Sequence, residues 1–256
     1  MTTALITGAS NGIGLELAKI FASKKTNLVL VARSENKLKS LGQELSDKYN
    51  LQCYVYACDL SIPDQANKVY EFCKQNNIQV TYLINNAGFG DYTPFQESKL
   101  NMQEEMINLN ILTLTKLTHL FLQDMISKRA GGIMNIASTA AFMPGPYMSV
   151  YFASKAYVLS FSEALSAELE GTGVNVTAIC PGPTQSQFFV NASAENSNMT
   201  KGRSMPSAEE VATFAYDRFM RKDTVAIHGV TNKMMATLVR FFPRGLVRKM
   251  VRLFMK

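Results

Sequence analysis

The stretch Thr3–Gly14, with the sequence TALITGASNGIG, decides the fold. It joins a short apolar run, Thr3–Thr7, to a loop with three glycines. Apolar residues at helical spacing follow from Ile13 to Phe21. Glycines between a strand and a helix let backbone N–H groups approach a pyrophosphate at the helix N-terminus. The stretch therefore predicts the strand–loop–helix opening of a dinucleotide-binding βαβ unit.

Beyond this stretch, apolar runs alternate with helical patterns as far as residue 180. We predict further strands at 27–31, 52–57, 80–84, 133–137 and 174–179, and helices at 13–25, 35–49, 63–75, 97–128 and 150–170. Such alternation is typical of a parallel sheet, and nearly all-apolar strands indicate helices on both of its faces. We expect a single-domain, Rossmann-like α/β fold with a doubly wound parallel sheet of about seven strands.

Composition excludes several classes of protein. The 256 residues are 47% hydrophobic and 18% charged, which is ordinary for a globular protein and unlike a disordered one. The sequence contains neither a long uncharged apolar run nor a signal-peptide pattern. Four cysteines without a CxxC pair indicate free thiols in the cytoplasm, and two histidines argue against a metal site.

The positive charge is concentrated at the C-terminus. Although the net charge is +6, residues 233–256 hold seven Lys or Arg and no acid, so the remainder carries about −1. We therefore expect no nucleic-acid partner. We divide the chain into a catalytic domain, 1–232, with a polar substrate flap at 188–204, and a basic amphipathic tail, 233–256. The tail is either a membrane-surface helix or a helix packed on the domain or on a partner subunit.

The end of the second predicted strand bears on cofactor choice. A carboxylate there favours NAD by bonding the ribose 2′-OH, whereas a cation favours the 2′-phosphate of NADP. Arg33 follows Val31-Ala32, and the next acid is Glu35. We therefore predict that NADP(H) is preferred, with NAD(H) as the alternative, and that Ser34 adds a hydrogen bond.

A Tyr and a Lys on one predicted helix are candidate catalytic residues. Tyr151 and Lys155 are four residues apart and so share a helix face. A nearby ammonium is expected to lower the pKa of a tyrosine, which is ordinarily about 10. Ser138 ends the fifth predicted strand, above the same crevice, where its hydroxyl can donate to a carbonyl oxygen.

These motifs together resemble the single-domain branch of the short-chain dehydrogenase/reductase family. The sequence is similar to that family in TGxxxGxG at Thr7–Gly14, in NNAG at Asn85–Gly88, in the Ser138–Tyr151 spacing of thirteen residues, and in Pro181-Gly182. The resemblance implies a catalytic set of Asn110, Ser138, Tyr151 and Lys155. In it Asn110, favoured over Asn108 by register, holds a water that resupplies protons through Lys155.

The resemblance also implies where the cofactor binds. Asp59 is expected to meet the adenine amino group, and Lys155 to hold the nicotinamide ribose. The sequence departs from the family at Asn11, where some NADP-preferring relatives carry a basic residue, and at Ser186, where Thr is commoner. The expected cofactor-binding residues are Gly8, Ser10, Asn11, Gly12, Ile13, Gly14, Arg33, Ser34, Asp59, Leu60, Asn86, Ala87, Gly88, Tyr151, Lys155, Pro181, Gly182, Thr184 and Ser186.

The sequence thus indicates an NADP(H)-dependent reductase or dehydrogenase of the carbonyl reductase type. It would act on a small-molecule ketone or secondary alcohol as a homodimer or homotetramer, with 98–128 as the candidate interface. The alternatives are a nucleotide-binding regulatory protein, a peripheral membrane protein, and a sugar epimerase, which usually needs a longer C-terminal region. Candidates for an apolar substrate pocket are Phe89, Tyr92, Phe95, Met143, Tyr147, Phe188 and Phe189.

Overall fold

A computed structural model of the protein describes residues 2–186, 188, 192 and 205–255. Within them, seven parallel strands form one sheet in the order β3-β2-β1-β4-β5-β6-β7. The strands are β1 (Thr3–Thr7), β2 (Asn27–Ala32), β3 (Cys53–Ala57), β4 (Tyr82–Asn85), β5 (Gly131–Ile136), β6 (Val174–Cys180) and β7 (Val225–Ile227).

Helices connect the strands and continue beyond the last one. Those of the described chain are α1 (Gly12–Ser23), α2 (Glu35–Tyr49), α3 (Gln65–Gln75), α4 (Leu100–Ile107), α5 (Leu114–Lys128), α6 (Ser149–Glu168), α7 (Ala208–Met220), α8 (Val230–Leu238) and α9 (Arg244–Met255). A π-helical turn, Asn108–Thr113, joins α4 to α5, and short 3₁₀ turns cover Thr139–Phe142 and Val239–Phe241. No helix in the described part of the chain has the length and apolar character to cross a membrane.

The apolar strands are buried because helices cover both faces of the sheet. One core layer packs α1, α2 and α7 against side chains such as Leu28 and Leu30. The other packs α3, α5 and α6 against the alternate side chains, such as Val29 and Val31. This doubly wound, seven-stranded arrangement confirms the predicted fold.

The strand order places a crevice at the middle of the sheet. β1 pairs with β2 on one side and with β4 on the other, so the chain changes direction across the sheet between them. Open α/β sheets bind ligands beyond the carboxyl ends of the strands at such a point. The loops that follow β1, β4, β5 and β6 meet there.

The prediction of one uninterrupted helix over 97–128 was wrong. The structure has α4 and α5 with the π turn between them, and the helix begins at Leu100. At that turn the side-chain amide of Asn110 bonds the backbone of Phe89, which lies outside the helix, in both directions. π turns often occur at functional sites.

The tail packs on the body of the protein. Helix α8 spans the predicted boundary at 232, and its Asn232 lies against Gly182, where an added Cβ would be 2.4 Å from the Asn232 amide nitrogen. In α9, the side chains of Val247, Val251 and Met255 recur every four residues and are buried. The two helices therefore continue the fold up to the sheet's carboxyl edge.

Candidate active site

One cavity of about 1060 Å³ runs along the carboxyl edge of the sheet. It extends from the glycine loop after β1 to the side chains of α8 and α9. Of the predicted site residues, only Gly14 and Asn110 do not line it. The structure thus brings together residues that are as far apart in the sequence as Gly8 and Ser186.

The glycines of the loop after β1 leave its backbone free of side chains that would block a ligand. Gly8 has a φ of +67°, and a Cβ there would lie 2.8 Å from the side-chain nitrogen of Asn86. At Gly14 a Cβ would lie 2.4 Å from the carbonyl oxygen of Gly8, so this glycine permits close packing of α1 on the loop. Helix α1 has no acidic residue in its first turn, which leaves its N-terminus suited to an anion.

Thr7 and Asn86 tie the ends of β1 and β4 together. The Thr7 hydroxyl accepts hydrogen bonds from the backbone N–H groups of Asn86 and Ala87, at 3.0 and 2.9 Å. The Asn86 amide donates to the carbonyl oxygens of Thr7 and Gly8. These bonds fix the glycine loop against the NNAG segment at the point where the strand order reverses.

A cationic side chain stands at the end of β2. The Arg33 side chain is 76% exposed, and its Nη1 lies 3.9 Å from Oδ2 of Asp59. Asp59 is held by the backbone N–H and the hydroxyl of Ser61, which donate to its Oδ1 at 3.0 and 2.7 Å. Arg33 is therefore accessible from the cavity, which Ser34, Asp59 and Leu60 also line.

A second cation reaches the glycine loop from α2. The Lys37 ammonium donates to Oδ1 of Asn11 at 3.2 Å. Asn11 occupies the position at which some NADP-preferring relatives carry a basic residue. The structure therefore supplies a positive charge to this position from another element.

Ser138 and Tyr151 face the cavity near its middle. The Ser138 hydroxyl caps the 3₁₀ turn after β5 by accepting from the N–H of Ala140 at 3.1 Å. Burial raises the pKa of Tyr151 to about 12, and the neighbouring Ser138 hydroxyl acts in the opposite direction. The phenol is accordingly protonated at neutral pH.

Lys155 is buried one helical turn beyond Tyr151. Its Nζ donates to the carbonyl oxygen of Ile136 at 2.7 Å and lies 5.7 Å from the centre of the Tyr151 ring. Burial lowers the pKa of Lys155 to about 8, and the charge of Cys180 acts against that shift. We expected the ammonium to lower the pKa of Tyr151, but the pKa is raised, because burial of the phenol outweighs the hydrogen bond from Ser138.

Asn110 lies behind the cavity wall. Its amide nitrogen donates to the carbonyl oxygen of Phe89 at 3.0 Å and to the hydroxyl of Ser154 at 3.1 Å. A Cβ on Gly88 would lie 3.0 Å from Oδ1 of Asn110 and 3.5 Å from Nζ of Lys155. Asn110 and Lys155 thus approach the same short backbone segment.

The segment after β6 closes the cavity from the other side. Pro181 and Gly182 line it, and the Thr184 hydroxyl donates to the carbonyl oxygen of Gly182 at 3.0 Å. The Ser186 hydroxyl accepts from the N–H of Phe188 at 3.3 Å. Of the predicted flap 188–204, the structure describes Phe188 and Ala192, and the other positions lie outside the described residues.

The substrate end of the cavity is apolar, but its walls differ from those predicted. Phe89, Met143 and Phe188 line it as expected. Phe95 does not, because its side chain lies at the surface and is 62% exposed. Tyr92 and Tyr147 do not line it either, because they pack into the cluster under α9. Phe189 lies outside the described residues.

Comparison with known proteins identifies the family. A sequence model of the short chain dehydrogenase family matches residues 2–197. The chain belongs to this family. The short-chain dehydrogenase from Sphingobium yanoikuyae, solved in complex with NADPH, superposes with a TM-score of 0.84 at 30% identity over 94% of each chain. The family resemblance inferred from the motifs is therefore confirmed.

Two curated relatives show the range of short-chain dehydrogenases that the chain resembles. The very-long-chain 3-oxoacyl-CoA reductase of Phaeosphaeria nodorum is 36% identical over 182 residues, which are 70% of this chain and 53% of that protein. The 7beta-hydroxysteroid dehydrogenase of Mediterraneibacter gnavus is 28% identical over 236 residues, or 90% of this chain and 86% of the relative. The chain thus spans about half the length of the Phaeosphaeria nodorum reductase.

Sequence reasoning missed two contributions to this short-chain dehydrogenase site. Lys37 was overlooked because its position on α2 shows no periodic or motif signal, although it follows Arg33 by only four residues in the sequence. The tail was treated as a separate unit, yet Met234 and Leu238 of α8 and Met250 and Phe254 of α9 line the cavity. Packing of the tail on the domain was one of the predicted alternatives, but its contribution to the cavity was not predicted.

Proposed function

We propose that the protein is an NADP(H)-dependent oxidoreductase of the carbonyl reductase type that interconverts a ketone and a secondary alcohol. The observation that carries this proposal is a single cavity with two chemically distinct ends. An uncovered glycine loop and Arg33 line one end, and Ser138, Tyr151 and Lys155 stand next to the apolar end. A nucleotide and an apolar carbonyl compound therefore fit side by side.

The residues at the nucleotide end fit a dinucleotide that bears an additional phosphate. The bare backbone of Gly8 and Gly12 and the N-terminus of α1 suit a pyrophosphate. Arg33 and Lys37 suit a 2′-phosphate, and the solved relative from Sphingobium yanoikuyae binds NADPH. When bound, the nicotinamide supplies or accepts the hydride.

The catalytic roles follow from the protonation states. Tyr151, with its raised pKa, holds a proton that it can donate to a carbonyl oxygen at neutral pH. Ser138 donates a hydrogen bond to the same oxygen as negative charge develops on it. Lys155 orients the nicotinamide ribose and passes a proton to Tyr151, and Lys155 recovers that proton from a water that Asn110 holds in place.

The substrate is proposed to be a lipid-like or steroid-like carbonyl compound. Phe89, Met143 and Phe188, with the methionines of α8 and α9, give that end of the cavity an apolar and adaptable lining. The names of the two curated relatives, a 3-oxoacyl-CoA reductase and a hydroxysteroid dehydrogenase, point to the same class of carbonyl substrate.

We further propose a cytoplasmic homodimer or homotetramer. The four cysteines are free thiols, which suits a reducing compartment. Apolar side chains are exposed along α4 and the π turn, among them Leu100, Ile107 and Leu112. These residues make 98–128 the proposed subunit interface.

Replacing Tyr151 tests the proposed function. In Tyr151→Phe, the loss of the proton donor is expected to lower NADPH-dependent ketone reduction by about a hundredfold or more. NADPH binding, followed by nicotinamide fluorescence, should stay within about twofold, because the glycine loop and Arg33 are untouched. Tyr157→Phe on the same helix is the matched control, since Tyr157 does not line the cavity. Turnover like wild type in Tyr151→Phe would exclude this assignment.

A further inference from the structure

Helix α9 presents three different faces. Val247, Val251 and Met255 are buried against Tyr92, Met143 and Tyr151, so one face is the body-facing seam. The Tyr92 hydroxyl also donates to the backbone carbonyl of Met255. Helical spacing puts an apolar strip on one flank of this seam and a basic strip on the other.

The basic strip has no ion-pair partner among the residues that the structure describes. Arg244, Arg248 and Arg252 are spaced by four residues and are exposed, as is Lys249. Within the described residues, no carboxylate lies within 4.0 Å of any of these four cations. Their charge is therefore available to an external anionic surface.

The apolar strip is exposed beside these cations. Leu253 is 75% exposed, and Phe241, in the turn before α9, is 80% exposed. Next to them, Met234 and Met250 are also more than half exposed while they line the cavity. Side chains that both line a cavity and face solvent mark its opening. The exposed apolar surface therefore borders an entrance to the candidate active site.

We propose that α9 and the turn 239–243 dock on the surface of an anionic phospholipid bilayer, with the cavity opening toward it. The exposed apolar side chains enter the interfacial region, and the Arg and Lys side chains bind lipid phosphates. The substrate then enters directly from the membrane as a carbonyl-bearing lipid, which rests on the proposed function. Charge complementarity with apolar residues favours a bilayer over an acidic protein or a nucleic acid.

Vesicle flotation of the full-length protein tests the docking surface. We expect the protein to float with vesicles of phosphatidylcholine plus phosphatidylglycerol, to be released by high salt, and not to float with phosphatidylcholine alone. The charge-reversal variant Arg248→Glu/Arg252→Glu should lower the partition coefficient by at least about tenfold. Its matched control, Lys24→Glu/Arg221→Glu, makes the same change in net charge at exposed positions elsewhere and should bind like wild type.

A second variant separates insertion from charge attraction. Phe241→Ser/Leu253→Ser keeps the charge and alters neither cavity-lining nor buried residues. It should also weaken flotation, by at least about fivefold, because apolar area no longer enters the bilayer. Failure of the wild type to float would overturn the proposal. Equal binding of the two charge variants, or unchanged binding of Phe241→Ser/Leu253→Ser, would contradict it as well.

Activity with two forms of ketone tests substrate entry from the membrane. Arg248→Glu/Arg252→Glu should reduce a short water-soluble ketone at the wild-type rate and a long-chain ketone dissolved in anionic vesicles several-fold more slowly. Equal rates on the vesicle-borne ketone would contradict membrane entry. Turnover of the soluble ketone without flotation would refute the docking alone. Flotation without reduction of any ketone would refute the proposed function and membrane entry while supporting the docking surface.

Discussion

Lys155 is a buried ammonium group in the candidate site, and its lowered pKa makes the stability of the protein depend on pH. Burial lowers its pKa from 10.5 to about 8. The unfolded chain therefore holds this proton up to about pH 10.5, while the folded protein releases it near pH 8. Between these values the unfolded state binds more protons, so the contribution of Lys155 to stability rises with pH.

Lys155→Met makes this linkage measurable. Between pH 8 and pH 10, the free energy of unfolding of the wild type should rise relative to that of the variant, by up to about 3 kcal/mol over the full shift. Urea unfolding at several pH values measures the difference, and the buried cysteines largely cancel because both proteins contain them. The variant should also lose ketone reduction. Parallel stability curves would show that Lys155 titrates as in the unfolded chain.

Lys37 supplies the positive charge that the glycine motif lacks at Asn11. Its ammonium donates a hydrogen bond to Asn11 and so adds a positive charge at the glycine loop. Lys37→Gln should raise the Kd for NADPH by about fivefold to tenfold and leave the Kd for NADH nearly unchanged, because only NADPH carries the 2′-phosphate.

The control for Lys37 lies on the same helix. Lys39 is paired with Glu35 at 2.7 Å, so Lys39→Gln should change neither Kd appreciably. Fluorescence titrations with both nucleotides at low salt measure the effect, since salt screens exposed charges. An equal loss of affinity for NADPH and NADH would show that Lys37 does not contact the 2′-phosphate.

At the scale of elements, the sheet was predictable from the sequence and the π turn was not. Strands such as Asn27–Ala32 are short apolar runs bounded by polar residues, so their positions follow from local composition. The π turn depends instead on contacts of Asn110 with Phe89 and Ser154, which are distant in the sequence. A local sequence pattern cannot predict hydrogen bonds between residues so far apart in the chain. The apolar periodicity also continued through the π turn, so it predicted one uninterrupted helix.

The features of the candidate site also fall into those that the sequence predicts and those that it does not. Ser138 and Tyr151 could be placed together because one ends a strand and the other belongs to the following helix. The position of α9 could not be predicted, since its apolar face is equally suited to a membrane, a subunit or this domain. The raised pKa of Tyr151 was also unpredictable, because the burial that causes it is a property of the assembled site.

At the scale of the whole molecule, helix α9, which lines the apolar end of the cavity, packs in a cluster separate from the main core. The two large core layers enclose the sheet, whereas α9 belongs to a smaller cluster with Met148, Phe152 and Tyr151. Proteins open locally where few buried apolar contacts hold a segment. The nucleotide end of the cavity should therefore persist when α9 detaches.

Val251→Asp in the full-length chain tests this independence. A buried carboxylate in the body-facing seam should release α9, so that hydrogen exchange of its amides accelerates by about tenfold or more while exchange in β1, β4 and β5 stays unchanged. The KM for an apolar ketone should rise several-fold, and the Kd for NADPH should stay the same. Leu253→Asp is the matched control, because the same change at an exposed position of α9 leaves the seam intact. Loss of protection throughout the sheet in Val251→Asp would show instead that α9 unfolds together with the main core.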